Sequence, residues 1–308
     1  MSKLVIAFGG NALGNNPKEQ QALIKKAVKN IVPLVADGHE IIISHGNGPQ
    51  VGIINLAFED SYENPDIPYM PLPECTAMSQ GYIGYHIQKG LRDVLEENGI
   101  TKKIATLVTQ VVVDKNDPSF KHPSKPVGPF YSKKIAEKLM QESGEIYIED
   151  AGRGYRKVVA SPKPIEIIEI ATIKDLLNSG HIVIAGGGGG IPIYKQNEAK
   201  GASAVIDKDL VASLMATNLK ADMLIILTKV KQAELNYGKE NAIKLGKITL
   251  EEAQTYINEG HFAAGSMLPK IQAAINFVDE TNGRAIITSL DNLQNVLIGK
   301  NVTEIYKK

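Results

Sequence analysis

Tryptophan is absent from this 308-residue chain, cysteine occurs once, histidine six times, and neither sign of charge is in excess. Each scarcity excludes something. The single thiol, Cys75, permits no intrachain disulfide and no cysteine-only metal cage. It is expected to be an inert buried side chain in a protein of the reducing cytoplasm. The histidines are scattered, with no H-E-x-x-H pair, so no zinc site is expected. Lys plus Arg equals Asp plus Glu at 34 each, so no global field draws nucleic acid or an anionic membrane to the surface. Nor is there a basic stripe interleaved with aromatics, and neither nucleic acid nor membrane is an expected partner. Long apolar runs are missing too. The amino terminus offers only residues 4–8 before Gly9, too few for a signal segment or a membrane span. No serine occupies a G-x-S-x-G elbow, which argues against an esterase.

What is present points to an α/β fold. At 43% hydrophobic and 22% charged residues, the chain can bury a sizeable core as one large domain or a two-lobed one. Val- and Ile-rich runs at 4–8, 41–43, 104–113, 182–185, 223–227 and 285–287 alternate with helical stretches. This predicts a mostly parallel central sheet with helices on both faces, a three-layer α/β/α sandwich. Between the first two runs, Leu23, Ala27, Ile31, Leu34 and Val35 fall on one helical face; Pro33 should kink that helix and Gly38 end it. The segment 114–164 breaks the alternation, being dense in Pro, Gly and charge. Fifty residues are too many for an ordinary connector, so this stretch is expected to form a small inserted subdomain or lid.

Three strand ends run into glycine clusters: Gly9-Gly10-Asn11, Gly46-Asn47-Gly48-Pro49-Gln50-Val51-Gly52, and Gly186 through Gly190. Any one cluster can be a tight turn and nothing more. Three at the carboxyl ends of parallel strands would make a crevice where backbone N–H groups approach an anion. The second cluster is not a dinucleotide fingerprint, because Gly52 comes one residue late for G-x-G-x-x-G, and there is no G-x-x-x-x-G-K-[ST] P-loop. Two helices are expected to carry lysines near their starts: one opened by the run 203–210, with Lys208 and Asp209 near its first turn, and one that Ser266 can cap, with Pro269 in the opening turn and Lys270 beside it. A cation there opposes the helix dipole by about 0.3 to 1 kcal/mol. Each lysine could swing into solvent. Two of them at such positions suggest a shared anion, and phosphoryl transfer needs this arrangement, since its catalysis is mostly alignment and charge neutralisation. Asp209 could orient both by ion pairing, or simply favour the helix start. His45, beside Gly46, reads as a packed or turn-stabilising residue.

In order along the chain, the glycine clusters, Lys125-Pro126-Val127-Gly128-Pro129-Phe130, Glu149-Asp150-Ala151-Gly152-Arg153-Gly154-Tyr155-Arg156-Lys157-Val158-Val159, Ser161-Pro162-Lys163-Pro164, Ala204-Val205-Ile206-Asp207-Lys208-Asp209, Asn236-Tyr237-Gly238-Lys239 and Gly265-Ser266-Met267-Leu268-Pro269-Lys270 resemble the carbamate kinase family of the amino-acid-kinase superfamily. The resemblance spans nearly the whole chain. It implies a single domain in which residues 1–218 bind carbamate and residues 219–308 bind MgATP or MgADP, with 114–164 as the lid. By matching motifs it implies that Gly9, Gly10, Asn11, Gly46, Asn47, Gly48, Gly186, Gly187 and Gly188 line carbamate or carbamoyl phosphate. Lys125, Lys208, Asp209 and Lys270 would be the catalytic set. Lys208, Lys270, Tyr237 and Met267 would meet the nucleotide, which brings the Mg2+; no protein metal site is implied. It further implies a cytoplasmic homodimer that makes ATP late in arginine or agmatine catabolism. The pattern is departed from at Lys229 and Lys231, after the fifth apolar run, and at Gln272, where an acid often follows the Pro-Lys pair. Those changes leave open a nucleotide-binding regulator without turnover; a sibling kinase for another small carboxylate or phosphate is a separate alternative, against which the motifs of 114–164 argue.

Overall fold

The computed structural model describes residues 1–9, 16–60, 68–150, 152–195, 201–263 and 265–308. Gly10 and Asn11 therefore lie outside the described residues. Eight strands form the central sheet: β1 (Lys3–Phe8), β2 (Glu40–His45), β3 (Ile104–Thr106), β9 (Ile182–Ile184), β11 (Met223–Thr228), β14 (Lys247–Thr249), β15 (Arg284–Ser289) and β16 (Thr303–Tyr306). Their spatial order is β14-β16-β15-β11-β1-β2-β9-β3, and every neighbouring pair is parallel except β15 with β16.

Alternation along the strands divides the core in two. From β1, Val5 and Ala7 enter one apolar cluster while Leu4, Ile6 and Phe8 enter the other; β11 splits likewise into Leu224 and Ile226 against Met223, Ile225 and Leu227. Because helices cover both faces, these strands read as unbroken apolar runs. The second cluster is closed by α1 (Pro17–Lys29), α2 (Val32–Ala36) and α4 (Leu72–Glu97), the first by α6 (Ile170–Asn178), α7 (Lys208–Asn218), α8 (Leu250–Asn258) and α9 (Met267–Glu280). The fold is the expected three-layer sandwich with a mostly parallel sheet.

Three local expectations need correction. Pro33 does not kink one helix; it stands at the start of α2, after α1 has ended at Lys29. A proline interior to a continuous helix would lose a hydrogen bond and clash one turn back, and starting a new helix avoids both. The run 104–113 is not one strand: β3 stays in the central sheet, whereas β4 (Gln110–Val113) pairs with β10 (Ile191–Ile193) and β8 (Pro164–Ile167). The break falls at Thr109, whose N–H and carbonyl are taken by Gln80 and whose hydroxyl accepts from the Gly186 N–H. Ser266 holds the N-cap position of α9, yet its side chain makes no capping bond.

Between β4 and β8, which pair antiparallel, the chain leaves the sandwich and returns. The excursion builds its own sheet of β5 (Lys125–Tyr131), β7 (Tyr155–Val159) and β6 (Tyr147–Glu149), crossed over by α5 (Lys133–Ser143). Ser132 caps α5 and Gly144, left-handed at φ +71°, ends it. This inserted sheet rests on α3 (Gly48–Asp60). A further hairpin, β12 (Glu234–Leu235) with β13 (Ile243–Lys244), follows β11. Among the described residues no helix is long and apolar enough to cross a membrane.

Candidate active site

Strands β11, β1, β2 and β9 are consecutive and parallel, so their carboxyl ends share one edge of the sheet. Ligands of open α/β sheets bind beyond that edge. Here it opens into a cleft of about 690 Å³, with Gly46 to Pro49 and Gly188 on one side and Thr228 to Val230 and Glu234 on the other. The inserted sheet contributes Lys125, Arg153 and Arg156, and the starts of α7 and α9 contribute Asp207, Lys208, Asp209, Met267 and Lys270.

The centre of the cleft is an ionic cluster. Asp207 is the N-cap of α7, its Oδ1 accepting from the Asp209 N–H at 2.9 Å. Its other oxygen accepts from Lys125 Nζ at 2.5 Å, tying the inserted sheet to the helix start. Asp209 is 4% exposed and holds two ammonium groups at once, Lys208 on Oδ1 and Lys270 on Oδ2, the latter at 2.7 Å. Burial works against its charge, but the two lysines outweigh burial and hold the carboxyl well below the usual carboxylate range. Burial pulls the Lys208 ammonium below an ordinary lysine, Lys270 adds like-charge repulsion, and Asp209 opposes both. Asp209 thus stays ionised throughout the neutral range and fixes both lysines facing the cleft.

The glycine turn after β9 is built to tight tolerances. Gly186, Gly188, Gly189 and Gly190 all have positive φ, and a Cβ on Gly188 would lie 2.1 Å from the Asn47 amide nitrogen. Gln80, 1% exposed on α4, donates to the Gly187 and Thr109 carbonyls at 2.9 and 3.1 Å and accepts from the Thr109 N–H at 2.9 Å. Asn47 is buried against the turn and donates to the Ser79 hydroxyl at 2.8 Å. Beneath Gly187 lies the ring of His45, fully buried, its Nδ1 donating to the Gly46 carbonyl at 2.9 Å. Burial, aided by the charge of Lys208, pushes this imidazole down to about 4.

That shift carries a linkage consequence. A folded pKa depressed below the unfolded value of about 6.5 means that the unfolded chain binds the proton first. Stability is therefore whole above about pH 6.5 and drains as pH falls toward 4, by about 3 kcal/mol in total from this one ring. Urea midpoints at pH 7 and pH 4.5 should show that loss, and the His45 ring proton resonances should not shift between pH 8 and pH 5. Titration near 6.5 would contradict the buried neutral ring.

Of the residues singled out from sequence, Gly46, Asn47, Gly48, Gly188, Lys125, Lys208, Asp209, Lys270, Tyr237 and Met267 all line the cleft. Gly186 and Gly187 stand behind its wall, packed on Met215 and His45. Gly9 faces the Leu227 carbonyl, 2.9 Å from where its Cβ would stand, so a side chain is excluded by the neighbouring strand. Lys229 borders the cleft, while Gln272 is on the outer face of α9, bonded to Asn276 at 2.9 Å. Sequence reasoning missed Asp207, Gln80, Arg153 and Arg156. For Asp207 a signal existed, since an Asp before Lys-Asp at a helix start is a strong N-cap. Among the described residues no three His, Cys, Asp and Glu side chains converge as a metal cage.

The sequence pattern of the "Amino acid kinase family" matches residues 2–289. The chain belongs to the amino acid kinase family. Among members of that family, it is 51% identical over 302 residues to carbamate kinase 3 of Staphylococcus aureus (strain USA300), covering 97% of this chain and 98% of that one. Carbamate kinase of Staphylococcus haemolyticus is 50% identical over 309 residues, covering all of both. The solved structure of carbamate kinase from Giardia lamblia bound to AMP-PNP superposes with a TM-score of 0.91 at 42% identity, covering 100% of this chain and 99% of that one. An amino acid kinase fold with this full-length likeness to carbamate kinases makes the chain a kinase.

Proposed function

We propose that the chain is a carbamate kinase that moves a phosphoryl group reversibly between carbamoyl phosphate and MgADP, giving ATP and carbamate, which falls to ammonia and bicarbonate. The observation that carries this reading is the pair of lysines held on Asp209 opposite a third lysine from the inserted sheet. A β-phosphate oxygen of ADP attacks phosphorus; the bond from phosphorus to the carbamate oxygen breaks, and its electron pair leaves with carbamate. Attacking and leaving oxygens are both anionic at neutral pH, so no general base is required. What the transition state requires is cations around the transferring oxygens in a site closed to water. Lys208 and Lys270 supply them from the helix starts and Lys125 from above, with Asp209 and Asp207 setting their directions.

In this reading the backbone around Gly46 to Gly48 and Gly188, with Gly10 and Asn11, receives carbamate and the phosphoryl group, while Gly9, Gly186 and Gly187 shape the turns beneath. Residues 1–218 form the carbamate half and 219–308 the nucleotide half, with Tyr237 and Met267 toward adenine and ribose, and 114–164 is a lid. Mg2+ enters as a component of the nucleotide substrate, held by its phosphates and water, in keeping with that ion's preference for substrate phosphates over protein cages. The enzyme works in the cytoplasm as a homodimer, forming ATP as the last step of arginine or agmatine catabolism.

The test is ATP formation from carbamoyl phosphate and MgADP, run beside acetyl phosphate. Turnover with carbamoyl phosphate alone supports the reading. Preference for acetyl phosphate would point to a sibling kinase, and tight MgADP binding without turnover would sink an enzymatic role.

A further inference from the structure

A second cavity, of about 260 Å³, lies where the inserted sheet meets α3 and the start of α4, and it shares no lining residue with the active cleft. One buried apolar cluster separates the two. Val127 and Val205 of that cluster line the cleft, whereas its Leu72 and Val159 line the second cavity. A space of this size exceeds the share of one water, about 30 Å³, and falls below the roughly 300 Å³ at which sites for drug-sized ligands begin. It suits a small metabolite and not a nucleotide.

The polar groups in its wall are not there for packing. Asn55 lies in the interior of α3, where asparagine is a poor helix former. It is 6% exposed and lines the cavity, and among the described residues its amide has no hydrogen-bond partner. Val51, one turn back, is apolar and fully buried. An apolar side chain at position 55 would serve the fold better, because a buried amide without partners carries a standing desolvation cost. Such a group is explained when something that enters the cavity meets it.

The inserted sheet adds a pair of opposite charges. Lys157 on β7 is bonded to Glu145, which follows α5, and both line the cavity at 17% and 33% exposure. Their charges cancel, so a ligand of either net charge would set one partner against it. A molecule that carries both charges close together answers both partners at once. In a free α-amino acid the ammonium and the carboxylate share one carbon, which matches two protein charges already in contact; a longer zwitterion holds them too far apart. With the carboxylate on Lys157 and the ammonium on Glu145, the ligand's side chain is left to the rest of the wall, apolar at Leu72 and Ile146 and polar at Asn55.

We propose that this cavity is a binding site for a free α-amino acid with a neutral amide side chain, of which glutamine is the probe. The ligand's amide and that of Asn55 each offer a carbonyl acceptor and an NH2 donor, so they satisfy one another. The site is separate from the cleft, and its occupation does not depend on the reaction carried out there.

Calorimetric titration of the full-length protein with glutamine tests this. Saturable binding is expected, with N-acetylglutamine, which lacks the ammonium, and norleucine, which lacks the amide, each at least tenfold weaker. Asn55→Leu should weaken glutamine at least tenfold while raising the melting temperature, since an unpartnered buried amide gives way to an apolar group of similar size. Glu145→Gln should weaken it comparably with the melting temperature unchanged, because the pair it breaks is partly exposed. Neither MgADP nor carbamoyl phosphate, added alone, should displace glutamine. No saturable binding at millimolar glutamine, equal binding of N-acetylglutamine, unchanged affinity in both variants, or displacement by either cleft ligand would overturn the proposal.

Discussion

Lys270→Ala is expected to lower kcat for ATP formation about a thousandfold while leaving the protein folded. The Lys270 side chain is 15% exposed, with its Nζ 2.7 Å from Asp209 Oδ2, and sits at the opening of α9, where the helix dipole offers it no stabilisation. A cation tolerated there is held by its partner and by whatever anion shares the cleft. Removing a single fixed donor from a developing oxyanion costs about 10² to 10³ in kcat, and a full charge belongs at the upper end. Folding should survive because Asp209 keeps Lys208 on its other oxygen and so is not left as an unpaired buried charge. Asp209→Ala should behave differently: two ammonium groups would lose their shared counter-ion, and stability as well as rate would fall. Rates from saturating substrate and melting temperatures of both variants separate these outcomes. Native-like turnover in Lys270→Ala would overturn the site assignment.

Much of this site was legible because local pattern and chemistry coincide in it. Val/Ile runs ending in glycine located β1, β2 and β9 and the turns that follow, and lysines placed against a helix dipole marked both helix starts before any contact was known. Gln80 left no such trace. Its function is three buried hydrogen bonds to Thr109 and Gly187, 29 and 107 residues away, and nothing about a glutamine on a long helix announces that. Strand β14 at one edge of the sheet and β16 beside it were missed for a related reason. Each is three or four residues long and carries charge, with Glu304 buried at 4% between Lys247 and Arg284, so neither resembles the apolar strands at the sheet's centre. The run 104–113 misled in the opposite sense: Thr109-Gln110 interrupts its apolar residues, but the sequence does not show that hydrogen bonds at Thr109 redirect the chain into a second sheet. Of the three departures from the family pattern, only Lys229 borders the cleft, so any effect on nucleotide affinity is expected there and not at Gln272.

The seat of the inserted sheet on α3 gives the second large effect. A Cβ on Gly52 would stand 2.1 Å from the Gly128 Cα and 2.2 Å from its nitrogen, backbone against backbone, where no rotamer change can relieve the overlap. Gly128 in turn has φ +72° at the irregular stretch of β5, three residues beyond Lys125. Two effects of Gly52→Ala therefore oppose each other. Alanine in place of glycine inside a helix stabilises by about 1 kcal/mol, whereas ordinary carbon contacts begin near 3.4 Å, so β5 must lift from α3 by more than 1 Å. Overlap should prevail, and because Lys125 rides on β5, a displacement of this size is expected to lower kcat about a hundredfold. Gly81→Ala is the matched control, an exposed helical glycine of α4 with nothing within 4 Å of the added methyl. It should raise the melting temperature slightly and leave turnover unchanged. If Gly52→Ala also gained stability and kept its rate, the inserted sheet would not depend on this glycine pair for its place above the lysine cluster, and the route by which Lys125 is positioned would have to run through Asp207 alone.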